Sequence, residues 1–258
     1  MTLFVAALIV IGGLVAGTIS AWIAHSYVED PEEEVAVWTP ATCSACAHTI
    51  TAADIAPPSW WISHRARCPH CSEPLGFSWL GVQLAVPALM LIMYTTWGNS
   101  LVLIPFLWLV PVLVTAATTD VLLMLIPKKI AWIGAGVGAT LIVIVSVALG
   151  SPSWITTAAI GGVGYFLFLF AVAIISPAGM GMGDVRLALL LGLYLGWINI
   201  MLPVIGLLIA CVVGLAMGLG VRAASGGTQR HFPFGPGLAA GTILAIALSQ
   251  PILDRLAN

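Results

Sequence analysis

The sequence predicts an all-α, polytopic membrane protein of about eight transmembrane helices. Of its 258 residues, 60% are hydrophobic and only 7% are charged, whereas an ordinary soluble domain carries roughly 25% charged residues. Apolar runs close to the roughly 20 residues needed to cross a bilayer recur from end to end. The expected surrounding is therefore a lipid bilayer. Nucleic acid is excluded as a partner, because the Lys and Arg residues form no basic stripe.

Eight apolar segments are predicted to span the membrane, and the first is predicted to be a retained helix. That segment has no Lys or Arg before its apolar run, and the run is longer than the core of a signal peptide. The stretch from 187 to 220 is too long for one helix and short for two, so both possibilities stay open. The predicted spans are 3–24, 78–97, 101–119, 130–149, 155–175, 187–198, 200–220 and 236–253.

One large polar segment follows the first helix and divides the chain into three parts. These are a first helix over 1–25, a loop domain over 26–77 and a membrane-embedded core over 78–258. The acidic run 29–34 predicts a solvated, flexible tether at the start of the loop. The aromatic residues Trp60, Trp61 and Trp79 are predicted to anchor the chain at the membrane interface.

The basic residues predict an orientation, because Lys and Arg concentrate on the cytoplasmic side of membrane proteins. With eight spans and an N-terminus outside the cytoplasm, all basic residues but one face the cytoplasm. The loop domain then lies in the cytoplasm as well. Arg255 falls outside, and the cytoplasmic set is Arg65, Arg67, Lys128, Lys129, Arg186, Arg222 and Arg230.

Asp120 and Asp184 are the only carboxylates associated with the apolar segments. A charged residue in mid-bilayer costs about 2.5–3.5 kcal/mol on insertion scales, so such residues are usually functional. Both aspartates fall at the cytoplasmic ends of spans, where they can meet. A pair would share a proton, so that one carboxylate activates water while the other polarises a carbonyl. Because each aspartate precedes an apolar run, a simple helix-capping role is the alternative.

Glycines surround the second aspartate, which ends the run Gly-Met-Gly-Met-Gly-Asp over 179–184. Glycine lets the backbone turn freely and lets a substrate strand approach closely, so Gly181 and Gly183 are candidate substrate-binding residues. Lys129 is a third candidate. Together with Lys128 and Arg186 it brings positive charge to the aspartate pair, which favours at least one ionised carboxylate.

Four cysteines in the loop domain form two Cys-x-x-Cys pairs separated by 21 residues. The pairs are Cys43 with Cys46 and Cys68 with Cys71. This spacing is typical of a tetrahedral, four-cysteine zinc site. Two disulfides are the alternative, which fits poorly with a reducing cytoplasmic location. Four thiolate ligands leave no open position on the metal, so the predicted zinc is structural.

In these motifs the chain resembles the type IV prepilin peptidases, a family of membrane aspartic proteases with a G-x-G-D motif. The family's first aspartate stands seven residues before a proline, as Asp120 does before Pro127. The second lies in a stretch matched by 181–187, and a late Pro-Phe-Gly-Pro matches 233–236. The resemblance implies a prokaryotic inner-membrane enzyme whose active site faces the cytoplasm. Its substrates would be prepilin or pseudopilin precursors, from which it removes a short basic leader.

The resemblance also implies a second activity, N-methylation of the new N-terminus from S-adenosylmethionine. The sequence departs from the bifunctional pattern at Ala21, His25 and Gln83, which leaves open whether this activity is retained. Two other classes of function also stay open. One is a proton-coupled transporter that relays protons through the two aspartates, although transporter sites usually lie at the midplane. The other is a non-catalytic pilus assembly protein whose zinc loop docks a partner.

Overall fold

The computed structural model describes residues 2–30, 35–57, 59–63, 67–176, 180–224 and 233–249. Within these residues the chain forms a multi-pass helical protein with one two-stranded β-hairpin. The elements are α1 Thr2–His25, β1 Tyr27–Asp30, β2 Val35–Trp38, α2 Ser59–Ser63, α3 Phe77–Trp97, α4 Leu103–Leu123, α5 Lys128–Ala148, α6 Ser153–Ile175, α7 Met182–Ile198, α8 Leu202–Ala224 and α9 Gly235–Ala247.

The membrane character predicted from composition is confirmed. Six of the described helices, namely α1, α3, α4, α5, α6 and α8, are long and apolar enough to cross a membrane. The other two long helices, α7 with 17 residues and α9 with 13 described residues, fall short of the roughly 20 residues that a full span needs. Eight spans is therefore an approximate count, although each predicted segment corresponds to one helix.

The stretch 187–220 forms two helices, because the chain leaves the helical conformation at Asn199. This residue adopts an extended backbone with φ −161° and ψ 142°. Its side-chain oxygen then accepts a hydrogen bond from the Met201 N–H at 2.9 Å, and its carbonyl accepts one from Leu202 at 3.0 Å. The amide side chain thus supplies partners for the start of α8, as an Asx turn does.

Glycines allow the membrane helices to pack closely. A Cβ at Gly161 of α6 would lie 2.6 Å from the Gly192 carbonyl oxygen of α7, and one at Gly196 would lie 2.8 Å from the Gly161 Cα. Gly13 and Gly17 of α1 lie equally close to α3. Lipid tails are as apolar as leucine, so close van der Waals contact between small residues is what holds such helices together.

Helix α7 lies at the centre of the core, which fixes the position of its N-terminus. Leu187, Leu190 and Leu191 are fully buried, and so is Tyr194, whose hydroxyl donates to the Pro105 carbonyl of α4 at 3.0 Å. A helix buried on most of its faces has little freedom to rotate or slide. Asp184, in its first turn, is therefore held at a defined position inside the bundle.

The loop domain differs from its prediction in two respects. Glu29 and Asp30 belong to an antiparallel hairpin, paired with Ala36 and Val35, so the acidic run begins in a strand rather than in a tether. Trp60 is fully buried in the loop core and its indole N–H donates to the Arg67 carbonyl at 2.8 Å. Trp79, 4% exposed, belongs to the same apolar cluster. For Trp60 and Trp79 the predicted role as membrane-interface anchors is wrong, because both rings fill the core that joins the loop to the helices.

Candidate active site and metal site

Asp120 lies in the last turn of α4 and is 5% exposed. Its Oδ2 atom accepts a hydrogen bond from the backbone N–H of Gly235, the first residue of α9, at 2.7 Å. A Cβ at that position would come within 2.7 Å of the same carboxylate oxygen, so any residue larger than glycine must displace the carboxylate. The start of α9 therefore packs directly on the carboxylate and holds it in place.

Asp184 lies in the first turn of α7 and is 7% exposed. Its backbone N–H donates to the Gly181 carbonyl at 3.1 Å, while its Oδ1 atom is buried and has no hydrogen-bond partner among the described residues. A buried oxygen without a partner is costly. Such atoms occur where an active site keeps a polar atom available for a substrate or water.

The two aspartates, far apart in sequence, are brought together by the helix ends that carry them. The Asp120 carboxylate interacts electrostatically with that of Asp184. The α4–α5 connection closes the arrangement, because Ile126 lies against the start of α7 and a Cβ at Gly183 would meet the Ile126 Cβ at 2.9 Å. The site is therefore built from the C-terminal end of α4 and the N-terminal ends of α7 and α9.

The three candidate substrate-binding residues occupy different surroundings. Gly181 lies beside Asp184, since a Cβ there would be 3.8 Å from its Oδ2, whereas Gly183 is packed against Ile126. Lys129 is exposed in the first turn of α5 and lines a cavity of about 570 Å³ bounded by α1, the hairpin, α4 and α5. Neither aspartate lines that cavity. A substrate role for these residues stays a prediction, and Gly179 of the same run lies outside the described residues.

We predict that Gly235→Ala lowers any activity that uses Asp120 by at least about tenfold, because the new methyl group must displace the carboxylate. Loss of a well-placed catalytic geometry commonly has an effect of this size. Steady-state kinetics on purified protein measure it. The matched control is Gly237→Ala, which introduces a similarly tight contact, 3.0 Å to the Gly214 Cα, away from Asp120. Equal losses in both variants would mean that α9 packing, rather than the aspartate, is responsible.

Cys43, Cys46, Cys68 and Cys71 form one cluster, as predicted. Their sulfur atoms all lie within 4.8 Å of one another, and all four are free thiols. The Cys43–Cys71 sulfur separation is 3.7 Å and the Cys46–Cys68 separation is 3.9 Å. Tetrahedral ligands bound to zinc at about 2.3 Å lie about 3.8 Å apart. The geometry and the donor set therefore fit a four-coordinate metal ion.

The two halves of this cluster have the same backbone hydrogen-bond pattern. In the first, the Cys43 N–H donates to the carbonyl of His48 and the Cys43 carbonyl accepts from Ala47. In the second, the corresponding bonds join Cys68 to Glu73 and to Ser72. Backbone N–H groups of Ala45 and Cys46 also hold the pKa of the Cys43 thiol below its usual value, at about 7. Each half is thus a knuckle that presents two sulfurs to one ion.

Each knuckle ends in a non-glycine residue with a left-handed backbone, Ala47 with φ 56° and Ser72 with φ 60°. A side chain costs roughly 1–2 kcal/mol in this conformation, partly offset because glycine adds entropy to the unfolded chain. We predict that Ala47→Gly and Ser72→Gly each stabilise the loop domain by up to about 1 kcal/mol. Slower zinc loss to a chelator would report this. Ala45→Gly, in the same knuckle but without a positive φ, serves as the control and should give no gain.

Gln83 of α3 joins the loop domain to the membrane helices, a role that sequence analysis missed. It is fully buried, donates to the Ile55 carbonyl and accepts from the Trp61 indole N–H, each at 2.8 Å. His25, the last residue of α1, ties that helix to α3, because it bonds Ser78 at 2.9 Å and stacks on Trp79 at 3.9 Å, and Trp79 belongs to the apolar cluster of the loop core. The loop core is therefore joined to the ends of α1 and α3.

Sequence comparison identifies the class to which this site belongs. The profile of the type IV leader peptidase family matches residues 107–219, which include both aspartates. The profile of the bacterial peptidase A24 N-terminal domain matches residues 11–97, which include the four cysteines. This chain belongs to the type IV leader peptidase family, and it is a multi-pass membrane enzyme.

Curated relatives agree along most of the chain. A prepilin leader peptidase/N-methyltransferase of Aeromonas hydrophila is 30% identical over 224 residues, covering 81% of this chain and 72% of the relative. A protein of the same name from Bacillus subtilis is 29% identical over 217 residues, covering 83% of both chains. One from Burkholderia pseudomallei is 29% identical over 221 residues, covering 81% and 67%. Comparison with solved structures gives no match.

Proposed function

We propose that this protein is a membrane aspartic endopeptidase that removes the leader peptide from type IV prepilin or pseudopilin precursors, with Asp120 and Asp184 as its catalytic pair. The observation that supports the proposal is that the ends of α4 and α7 each carry a buried carboxylate and that the two carboxylates interact electrostatically. The names of the relatives supply the substrate class.

The two carboxylates take different roles in this mechanism. Asp120 already accepts a hydrogen bond from a backbone N–H at Oδ2, and such a bond is stronger when the carboxylate is ionised. We therefore assign Asp120 the role of the base that activates water. Asp184 then holds the shared proton and polarises the scissile carbonyl, and its unpartnered Oδ1 is free for that contact. As water adds to the carbonyl carbon, its proton passes to Asp120 and the Asp184 proton passes to the carbonyl oxygen. When the C–N bond then breaks, Asp120 gives its proton to the leaving amine and Asp184 takes back a proton as the carbonyl re-forms.

The four cysteines hold a structural zinc ion in this proposal. All four ligands come from the protein, so no coordination position is open for water or substrate. The ion supplies folding free energy to a loop domain of modest core size. The loop core in turn packs on the ends of α1 and α3 through Gln83 and His25.

A second activity, methylation of the new N-terminus from S-adenosylmethionine, is proposed from the names of the relatives alone. The three positions that depart from the bifunctional pattern lie together at the junction of the loop and the helices. Ala21 is fully buried in the loop core, and His25 and Gln83 make the contacts described above. If this junction contributes to methyl transfer in the bifunctional relatives, its residues differ in this chain.

Co-expression with a candidate prepilin tests the proposed function. N-terminal sequencing of the product should find the leader removed, and its mass should decide methylation, since one methyl transfer adds one methylene. Processed but unmethylated pilin would leave the protein a peptidase only. Precursor that stays intact with the wild-type chain would contradict the peptidase proposal and favour the assembly protein.

We assign the enzyme to a prokaryotic inner membrane, with the aspartates and the loop domain on the cytoplasmic side. The basic residues support this, although Arg65, Arg230 and Arg255 lie outside the described residues. We predict that an impermeant maleimide labels Asn99→Cys, between α3 and α4, in intact cells. Ala53→Cys in the loop domain should be labelled only after permeabilisation. Both positions are exposed, so the reverse result would invert the topology.

A further inference from the structure

An apolar groove runs along the outside of the bundle between α3, α4 and α9. Its cavity volume is about 610 Å³. Helix α4 packs against both α3 and α9 and therefore forms the floor, while the other two helices form the walls. Among the described residues that line it, Ser78 and Thr118 alone carry polar side chains.

One end of this groove lies beside Asp120. Val121 and Pro236 line that end, and they are the chain neighbours of Asp120 and Gly235, which are hydrogen-bonded to each other. The hydroxyls of Ser78 and Thr118 fall toward the same end, because α3 and α9 begin there and α4 ends there. From this end the groove follows α3 to Ile92, about 21 Å at 1.5 Å per residue.

Small residues on all three helices line the groove, which allows another helix to pack against them. Gly81 and Ala85 on α3, Ala117 on α4, and Ala239 and Ala240 on α9 line it. Small residues on facing helices allow another helix to approach closely, which is the main source of helix association in a bilayer. A length of about 21 Å also covers much of the roughly 30 Å hydrocarbon thickness.

We infer that this groove docks the apolar helix of the precursor and delivers its cytoplasmic end to Asp120 and Asp184. This inference rests on the proposed function, together with the implication of the family resemblance that the leader is cut ahead of an apolar segment of the precursor. Cleavage needs the substrate backbone to unwind at the helix end, and unwound N–H groups need acceptors. The hydroxyl oxygen of Thr118, which donates to the Val114 carbonyl at 2.7 Å, still has lone pairs to accept one. The single polar end of the groove therefore lies where unwinding must occur.

Gly81 gives a direct test, because a Cβ built there meets nothing within 4 Å. Gly81→Leu therefore fills the groove without displacing the fold, and Ala240→Leu fills it from the opposite wall. The matched control is Gly164→Leu on α6, also an exposed helical glycine with open space around it, which lies outside the groove. The size-exclusion profile and thermal unfolding of the purified protein report whether each variant is folded.

The measurement is the ratio of kcat/KM for the full precursor to that for a leader peptide that spans the cleavage site but lacks the apolar segment. The ratio should fall at least tenfold in Gly81→Leu and Ala240→Leu, mainly through KM, and stay unchanged in Gly164→Leu. If both groove variants are folded and keep the wild-type ratio, the proposed docking site is wrong, while the proposed peptidase function still stands. A wild-type chain that cleaves neither substrate overturns the proposed function itself, and the docking with it.

Crosslinking identifies the occupant independently of any groove-filling variant. A benzophenone amino acid at Ala85, in a chain carrying Asp184→Asn, should crosslink to the apolar segment of the precursor. The same group at Val163 of α6, which is 52% exposed and outside the groove, should not. Crosslinks from position 85 to lipid alone would make the groove a lipid site and end the proposal.

Discussion

Asp120→Asn and Asp184→Asn should each reduce precursor cleavage by about 10²–10⁴-fold, the range that a positioned acid or base contributes. An amide can neither accept the proton from water nor hold the shared proton for the carbonyl. Because the carboxylates act as a pair, the double variant should lose little more than either single variant, as groups that act as a unit are not additive. Quantitative immunoblotting of precursor and product measures the loss.

Glu29→Gln is the matched control for the removal of a carboxylate, because Glu29 is exposed in β1 and pairs with Ala36 of the hairpin. It should cleave at the wild-type rate. The size-exclusion profile and thermal unfolding of each purified variant should match those of the wild type, which separates loss of chemistry from loss of fold. A folded Asp120→Asn or Asp184→Asn variant with near-wild-type cleavage would remove that aspartate from the mechanism.

The helices were predictable because their signal is local. A run such as 128–148 carries enough apolar residues in sequence to indicate a membrane helix without knowledge of its neighbours. The observed break after α7 depends on one side chain, since Asn199 caps α8 with its own oxygen. Periodicity cannot reveal that contact, which is why 187–220 could be one helix or two.

The aspartates were predictable for a different reason. A carboxylate in an apolar segment is costly, so its presence marks a site even when its partner is far away in sequence. The partner that fixes it was not predictable. Gly235 is 115 positions from Asp120, and its role depends on a backbone N–H and an absent Cβ, neither of which a sequence distinguishes from a helix-packing glycine.

The loop tryptophans show how a reasonable rule fails. Tryptophan is enriched at membrane interfaces because it has an apolar ring and one polar N–H. A small core also needs large apolar rings, and its backbone carbonyls can accept that N–H. Trp60 satisfies its N–H with the Arg67 carbonyl beside Cys68. It thus stabilises the second knuckle, and the choice between the two environments is made by tertiary contacts.

Removal of one zinc ligand should have the largest effect on the loop domain. Structural zinc contributes roughly 10–16 kcal/mol of apparent binding free energy in small zinc domains, far more than a core of this size can replace. Cys68→Ser should therefore lower the zinc content from about one ion per chain to near zero and make the loop sensitive to protease. Elemental analysis and limited proteolysis of purified protein measure these effects.

Cys211→Ser is the matched control, because Cys211 is an exposed free cysteine on α8 outside the cluster, and it should keep its zinc. The aspartates lie in the membrane core, so Cys68→Ser should retain more cleavage than Asp120→Asn does. The loss of cleavage that Cys68→Ser does show should arise at the junction formed by Gln83 and His25, because this junction transmits disorder of the loop to the ends of α1 and α3. Full zinc in folded Cys68→Ser, or stoichiometric disulfides in freshly alkylated wild-type protein, would contradict the four-thiolate site. Cleavage abolished as completely as in Asp120→Asn would instead make the metal domain essential to the chemistry.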